Sequence, residues 1–332
     1  MVKVVAKVSD IQGTIHVDQY LTDYSLAYMQ DDANFVCAAA SSNIPVTKES
    51  DKYVIYPPGY FWRDEAAVRP LGGRPVQVNY KVDSGQYLAE EWALEHTIDD
   101  RQRANVDAPI NLDRNATRLL TDKQKIRADR IWNQKFFTTG VWTHDLDSTA
   151  GDFVAFNDAS STPIDTIDQY KDIMSQTTGM MPNTLIMGVN VKRALRSNPD
   201  ITDRIKYTRT GVADNAMLAS LFELDRVVVA RAVYNAADEG AADNFQFIAD
   251  PNAMLLCYIE PNPTLESPTA IGRFSWTGLI PGATNDMGGV INRGRDDRAY
   301  SDWFHNRQAF DLRVVAADLG IFFSYANVPV SA

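Results

Sequence analysis

Histidine, cysteine and closely spaced carboxylates are the residues with which this chain could perform chemistry, and their spacing suits none of the usual sites. No His-Glu-x-x-His run and no Cys-x-x-Cys pair occurs among the four histidines and two cysteines, so the common zinc-binding patterns are missing. The sequence also lacks the Gly-x-Ser-x-Gly turn of serine hydrolases and the glycine-rich loops that bind phosphates. We therefore predict no catalytic residue, no metal site and no cofactor.

Two acidic groups come closest to a functional pattern. Asp145 and Asp147, followed by Asp152, resemble part of a calcium loop, but Thr149 and Ala150 stand where such a loop needs a ligand and a glycine. A polar turn is the better interpretation. The neighbouring Glu90 and Glu91 would point to opposite faces of a strand, which favours a solvated acidic surface over a carboxylate pair.

Composition narrows the class of protein. The 332 residues are 45% hydrophobic and carry a net charge of −11, which is typical of a globular chain with an ample core. Such acidity argues against a protein that reads nucleic-acid sequence, although it allows a container that encloses nucleic acid. No apolar run approaches the roughly 20 residues that span a bilayer. We expect Cys37 and Cys257 to remain unbonded thiols in a reducing cytoplasm.

The first ninety residues predict an arm followed by an extended loop. Residues 1–35 alternate short apolar patches with polar residues, which favours an arm that packs on another surface. In the loop, 51–89, we predict strands at 52–56 and 76–82, separated by Pro/Gly clusters that favour turns. A two-stranded excursion is not stable alone in water. Its aromatic residues should therefore lie against a partner surface, and the candidate contact residues are Tyr56, Tyr60, Phe61 and Trp62.

A long helix is predicted for 109–137, beginning at Pro109. The length would be about 40 Å. The predicted apolar stripe recurs near the helical period and is formed by Leu112, Ala116, Leu119, Ile126 and Phe137. Its net positive charge complements the acidic stretch 83–107. The remainder predicts alternating helices and strands. The predicted helices are 165–177, 189–197 and 216–223; the predicted strands are 184–187, 226–230, 245–248, 254–259 and 273–276, followed by two long strands at 298–309 and 312–325.

Several motifs, in consistent order from about residue 50 to 280, resemble the major capsid proteins of tailed bacteriophages. The most specific are Thr178-Gly179-Met180-Met181-Pro182-Asn183-Thr184-Leu185 and Val233-Tyr234-Asn235-Ala236-Ala237. Others are Tyr56–Arg63 with Arg69-Pro70-Leu71-Gly72, Leu94–Asp100 leading to Pro109–Leu112, Leu218–Val229, and Leu255–Trp276.

The resemblance implies an α+β fold of the Hong Kong 97 type, with an N-terminal arm, an extended loop, a peripheral domain carrying a long spine helix, and an axial domain. The implied division is arm 1–35, loop 51–89, peripheral domain 36–50, 90–163 and 290–332, and axial domain 164–289.

The implied function is that of a head protein, not an enzyme, which self-assembles as pentamers and hexamers into an icosahedral shell around double-stranded DNA. DNA contact should be non-specific, and no membrane is involved. The shell would be assembled in the bacterial host cytoplasm and reside in the virion. The short arm suggests an unprocessed chain with a separate scaffold protein or none, and portal or decoration proteins are further candidate partners. Two alternatives remain open: an encapsulin-type nanocompartment shell, and a soluble mixed α/β enzyme or binding protein.

Overall fold

The computed structural model describes residues 30–56, 58–106, 110–205, 214–264, 267–280 and 289–328. Within these ranges the strands form two five-stranded sheets and two two-stranded hairpins, and seven α-helices are present. The helices are α1 (Pro58–Phe61), α2 (Asp100–Asn105), α3 (Leu112–Phe136), α4 (Pro163–Thr178), α5 (Val189–Ser197), α6 (Pro199–Ile205) and α7 (Asn215–Leu221). The strands are β1 (Ser42–Val46), β2 (Ser50–Ile55), β3 (Asp83–Leu88), β4 (Glu90–Asp99), β5 (His144–Asp147), β6 (Thr184–Gly188), β7 (Arg226–Ala230), β8 (Val233–Asn235), β9 (Phe245–Phe247), β10 (Met254–Cys257), β11 (Ile271–Trp276), β12 (Val290–Asp296), β13 (Ser301–Val314) and β14 (Gly320–Ser324).

The first sheet is organised around β13. Strands β12 and β11 pair antiparallel along one side of β13, β4 pairs antiparallel along the other, and β1 extends the sheet parallel to β11. Helix α3 packs across this sheet, where Gln124 is buried and its side-chain amide donates to the backbone oxygens of Trp92 and Asn306 at 2.9 and 3.4 Å. The long helix is therefore tied to the sheet by hydrogen bonds as well as by apolar contacts.

The second sheet has the order β5-β14-β10-β6-β7. Strands β6, β10 and β14 are buried at every position, as expected for strands covered on both faces. One face packs with α4–α7 in an apolar core that includes Ile167, Met174, Leu195 and Phe222. Sequence patterning predicted the strands β6 and β7 and the helix α5 closely, because each is a short apolar or amphipathic run.

The long helix differs from the prediction in its start and in its buried face. It begins at Leu112, with the Asn111 side chain accepting the backbone N–H of Arg114 at 3.0 Å, whereas Pro109, the predicted start, lies outside the described residues. Leu119 is 45% exposed. The buried stripe instead contains two polar residues and is formed by Ala116, Leu120, Gln124, Ala128, Asp129, Trp132 and Phe136.

Two strand predictions were wrong in their position along the chain. The second strand of the loop is β3, at 83–88, and not 76–82; Ile55 lies directly opposite Asp83. The tail forms one 14-residue strand, β13, and then β14. The interruption therefore falls at 315–319, after β13 has finished pairing with β11, and not near 310.

The acidic stretch before α3 is also used differently from the prediction. Strand β4 lies within it, and its carboxylates face the tail: Glu91 pairs with Arg307 at 2.6 Å and Glu95 with His305 at 2.7 Å. The charge complement is therefore supplied by β13, the strand that pairs with β4.

The proposed division into peripheral and axial domains stays a prediction. Strands β5 and β14, from the segments assigned to the peripheral domain, share a sheet with β6, β7 and β10 of the axial segment. The sheet therefore crosses the predicted boundary. Of the predicted arm, the structure describes residues 30–35, and these pack on the chain itself through Phe35, which is buried with Ala232 and Ile248.

Candidate functional site

The extended loop is held to the body of the protein at its base. Tyr53 of β2 and Tyr87 of β3 both stack on Phe274 of β11, with ring centroids 5.2 and 4.7 Å apart. The backbone N–H of Leu88 donates to Asp311 Oδ2 at 3.0 Å. The base of the loop is thus part of the folded core. The sequence analysis had instead predicted that the whole loop, 51–89, depends on a partner surface.

Asp311 links this base to the long helix. Its carboxylate is 6% exposed and pairs with Lys135 of α3 at 3.0 Å and with Arg313 at 2.6 Å. A buried carboxylate is stable only when paired and hydrogen-bonded, and here both oxygens have partners. The loop therefore leaves the body from a point fixed by helix α3 and strand β13.

Beyond the base, the loop exposes apolar side chains. We call Tyr56 and residues 58–82 the distal loop. Tyr56, Phe61 and Tyr80 form a cluster with ring centroids 5.3–6.3 Å apart. The three side chains remain 46%, 53% and 61% exposed. Contacts among themselves thus cover only about half of their surface.

The other two predicted contact residues occupy different surroundings. Tyr60 is half-buried, with the Arg63 guanidinium 5.2 Å above its ring. Trp62 is 56% exposed, and its ring lies against Gly179, the left-handed residue that ends α4. The structure therefore brings Tyr56 and Phe61 together but separates them from Trp62.

Sequence reasoning missed several members of the exposed surface. Tyr80 completes the aromatic cluster, and Val76, Val78 and Val82 share its alternating spacing and are 55–60% exposed. Near the loop tip, Val68 and Leu71 are almost fully exposed. The alternation was visible in the sequence, but it was interpreted as a half-buried strand. Exposed apolar surface of this kind marks an interaction site.

The described start of the chain is fixed by a buried carboxylate of α3. Asp129 accepts the backbone N–H of Val36 at 3.0 Å and that of Cys37 at 2.7 Å. Burial raises the pKa of Asp129 to about 6, and the two N–H donors only partly oppose that effect. Cys37 and Cys257 are separate buried thiols, as predicted, and burial raises the pKa of both.

The remaining candidate for chemistry is a polar turn, as predicted. Asp147 accepts the backbone N–H and the hydroxyl of Thr149 at 2.7 and 2.6 Å, and these hydrogen bonds lower the pKa of its carboxyl. Across the described ranges, no group of three or more histidine, cysteine, aspartate or glutamate side chains is arranged to hold a metal ion. In the same part of the chain, no helix is long and apolar enough to cross a membrane.

Comparison with solved structures identifies the fold. A phage-related protein from Bordetella bronchiseptica RB50 is 18% identical, with a TM-score of 0.68 over 91% of this chain and 95% of that one. The mature capsid of bacteriophage PhiM1 is 12% identical, with a TM-score of 0.57 over 95% and 93% of the two chains. An encapsulin from Synechococcus elongatus is 11% identical, with a TM-score of 0.54 over 94% and 96%. At these identities the likeness shows a common fold.

Sequence comparison indicates which kind of protein with that fold the chain resembles. No protein-family model matches the chain. The major capsid protein of Burkholderia phage BcepMu is 26% identical over 246 residues, which are 72% of this chain and 75% of that protein. This relative and the capsid-like fold together support the identification of the chain as a tailed-phage major capsid protein. Its role is structural, and its place is the virion.

The capsid-protein fold explains why the site is a surface and not a pocket. The α+β architecture of the Hong Kong 97 type is confirmed, and α3, with 25 residues, is a long helix of the kind that the resemblance implied. In this capsid protein, the buried carboxylates Asp129 and Asp311 hold residues 36–37 and the base of the loop to the body. Many of the exposed large apolar side chains lie on the distal loop.

Proposed function

We propose that this capsid protein assembles with copies of itself, as pentamers and hexamers, into a closed icosahedral shell. The distal loop would lie across a neighbouring subunit. The supporting observation is the loop's construction: a base packed into the core by Tyr53 and Tyr87 carries a tip whose apolar side chains are exposed. Such a segment gains its burial from another copy of the chain, so the stability of the subunit and assembly are coupled.

The proposed cargo is double-stranded DNA, held without sequence recognition. With a net charge of −11, the subunit can neutralise few phosphates, so any contact with packaged DNA should be sparse and sensitive to salt. Assembly is proposed to take place in the cytoplasm of the bacterial host. Scaffold, portal and decoration proteins stay predictions from the resemblance.

An encapsulin-type shell is the second candidate function, because an encapsulin shares the fold with a TM-score of 0.54. That value is close to the 0.57 for the phage capsid, so the fold does not favour either one. The sequence relative is a phage major capsid protein, 26% identical over 246 residues. This relative favours the phage shell over the encapsulin.

The test is to express the full chain, purify any particles, and determine their contents. Electron microscopy with sedimentation velocity should find closed shells or their pentamer and hexamer precursors. Shells recovered from phage-infected cells should contain nuclease-protected DNA. Particles filled with a discrete protein and no DNA would favour the encapsulin function, and a concentration-independent monomer would contradict both.

A further inference from the structure

A second exposed surface lies on the hairpin formed by β8 and β9, residues 233–247, which we call the acidic hairpin. Residues 238–247 are all exposed. The hairpin is nonetheless ordered: Asn235 donates to Asp243 Oδ1 at 2.8 Å and accepts the backbone N–H groups of Ala237 and Asn244. It is therefore a formed structure that projects from the body.

The two faces of the acidic hairpin differ. Tyr234 pairs with Gln246 across the hairpin, and the Arg130 guanidinium of α3 lies 4.6 Å from the Tyr234 ring. Phe245 and Phe247 alternate with Gln246 and so lie on the opposite face. They are 69% and 45% exposed. One face thus contacts helix α3, and the other exposes two phenylalanines to solvent.

The acidic hairpin and the tip of the distal loop carry opposite charges. Residues 233–247 contain three acidic residues and no basic one, whereas the distal loop contains four basic and two acidic residues, and both acidic ones precede its tip. Asp238 and Glu239 lie at the hairpin tip, and Arg69 and Arg74 flank the turn at the loop tip; all four are exposed. In both segments the exposed aromatic residues lie closer along the chain to the base of the segment than these charged residues do.

We propose that the distal loop of one subunit docks on the acidic hairpin of a neighbouring copy. The aromatic and valine face of the loop would cover Phe245 and Phe247, while Arg69 and Arg74 would meet Asp238 and Glu239. Apolar groups supply the burial, and the opposite charges set the register and accelerate encounter. This inference rests on the proposed function, since it names the surface that receives the loop.

Charge reversal at the two tips tests the pairing. The hairpin variant is Asp238→Lys with Glu239→Lys, and the loop variant is Arg69→Glu with Arg74→Glu. Asp243 is left intact because it holds the hairpin turn. We expect either reversal to lower the fraction of chain in particles about tenfold at physiological salt, and the combined variant to restore it. A matched control, Asp172→Lys with Asp203→Lys, reverses two exposed charges elsewhere and should assemble normally.

The pairing is overturned if the hairpin variant assembles like the unmodified chain, or if the combined variant assembles no better than either reversal. Should the reversals unfold the subunit, as judged by circular dichroism, a cysteine pair provides the second measurement. Arg74→Cys with Glu239→Cys should form disulfides between chains in particles. Crosslinks within one chain, or none, would count against the inference.

Failure of this inference is distinguishable from failure of the proposed function. Removing the distal loop tests whether the loop contacts any neighbour. If that deletion abolishes particles while the hairpin reversal leaves them unchanged, the loop has a different receiving surface and the proposed function stands. If both variants form normal particles, the receiving surface and the role of the distal loop in assembly are both wrong, whereas shell formation itself stands.

Discussion

Deletion of the distal loop should abolish assembly and leave the subunit folded. The register of the hairpin indicates where to cut: Ile55 lies directly opposite Asp83, so an Asn-Gly turn can join them in place of residues 56–82. Tyr53 and Tyr87 remain and keep their stacking on Phe274. A deletion of the whole predicted loop, 51–89, would remove these core contacts and is not a valid test.

The expected magnitude follows from the exposed aromatic cluster. Full burial of one such side chain contributes roughly 1.5–3 kcal/mol, and Tyr56, Phe61 and Tyr80 are each about half exposed. Covering the three should therefore contribute roughly 2–4 kcal/mol per contact. That corresponds to a change of about 30- to 1000-fold in the association constant of each contact. Because a closed shell repeats the contact at every subunit, the loss should prevent closure.

The assay combines circular dichroism and urea unfolding of the subunit with sedimentation velocity and electron microscopy of the particles. A smaller perturbation, Phe61→Ser with Tyr80→Ser, should weaken assembly in the same direction. The control Val154→Ser changes a side chain that is also about half exposed, at 49%, outside the loop, and should assemble normally. Normal particles from the deletion variant, or its global unfolding, would refute the reasoning.

Three further predictions concern stability and DNA. The folded-state pKa of Asp129, about 6, exceeds the ordinary 3.8, so its contribution to stability is present below pH 4 and is lost as pH rises through 6. Between pH 4 and 7 this amounts to roughly 2 kcal/mol. Urea unfolding of Asp129→Asn should lack this pH dependence, and an unchanged profile would contradict the assignment. Trp132 is 1% exposed, so Trp132→Ala should lower the free energy of unfolding by about 3–5 kcal/mol, measured by denaturant unfolding. Trp132→Phe should lower it much less, and equal losses from the two variants would contradict this prediction. Finally, fluorescence anisotropy should find DNA binding by the isolated subunit to be weak, independent of sequence, and lost with added salt. Nanomolar, sequence-dependent binding at physiological salt would be inconsistent with the net charge.

The exposed site was only partly predictable. Tyr56, Tyr60, Phe61 and Trp62 were predicted to lie poorly covered in the single chain, because a two-stranded excursion has no core of its own. Three of them are 46–56% exposed, whereas Tyr60 is half-buried. Tyr80 was assigned to a strand, since alternation of apolar residues is the usual signal of a half-buried strand. Phe245 and Phe247 were missed for the same reason. Alternation shows which residues share a face, and it does not show whether the chain itself covers that face.

By itself the sequence determined the elements whose signal is local. Helix α5, strands β6 and β7 and the length of α3 follow from apolar periodicity and from the residues at their ends, which act over a single turn or strand. The tertiary structure decided which polar residues are buried. Gln124 and Asp129 lie on the buried stripe of α3 because backbone groups of distant segments, at Trp92, Val36 and Cys37, satisfy them. It also decided that residues 90–99 form a strand, because Arg307 pairs with Glu91 and His305 hydrogen-bonds Glu95 only once β13 lies beside them. Hydrogen bonds and ion pairs of this kind join residues far apart in sequence, so no local pattern records them.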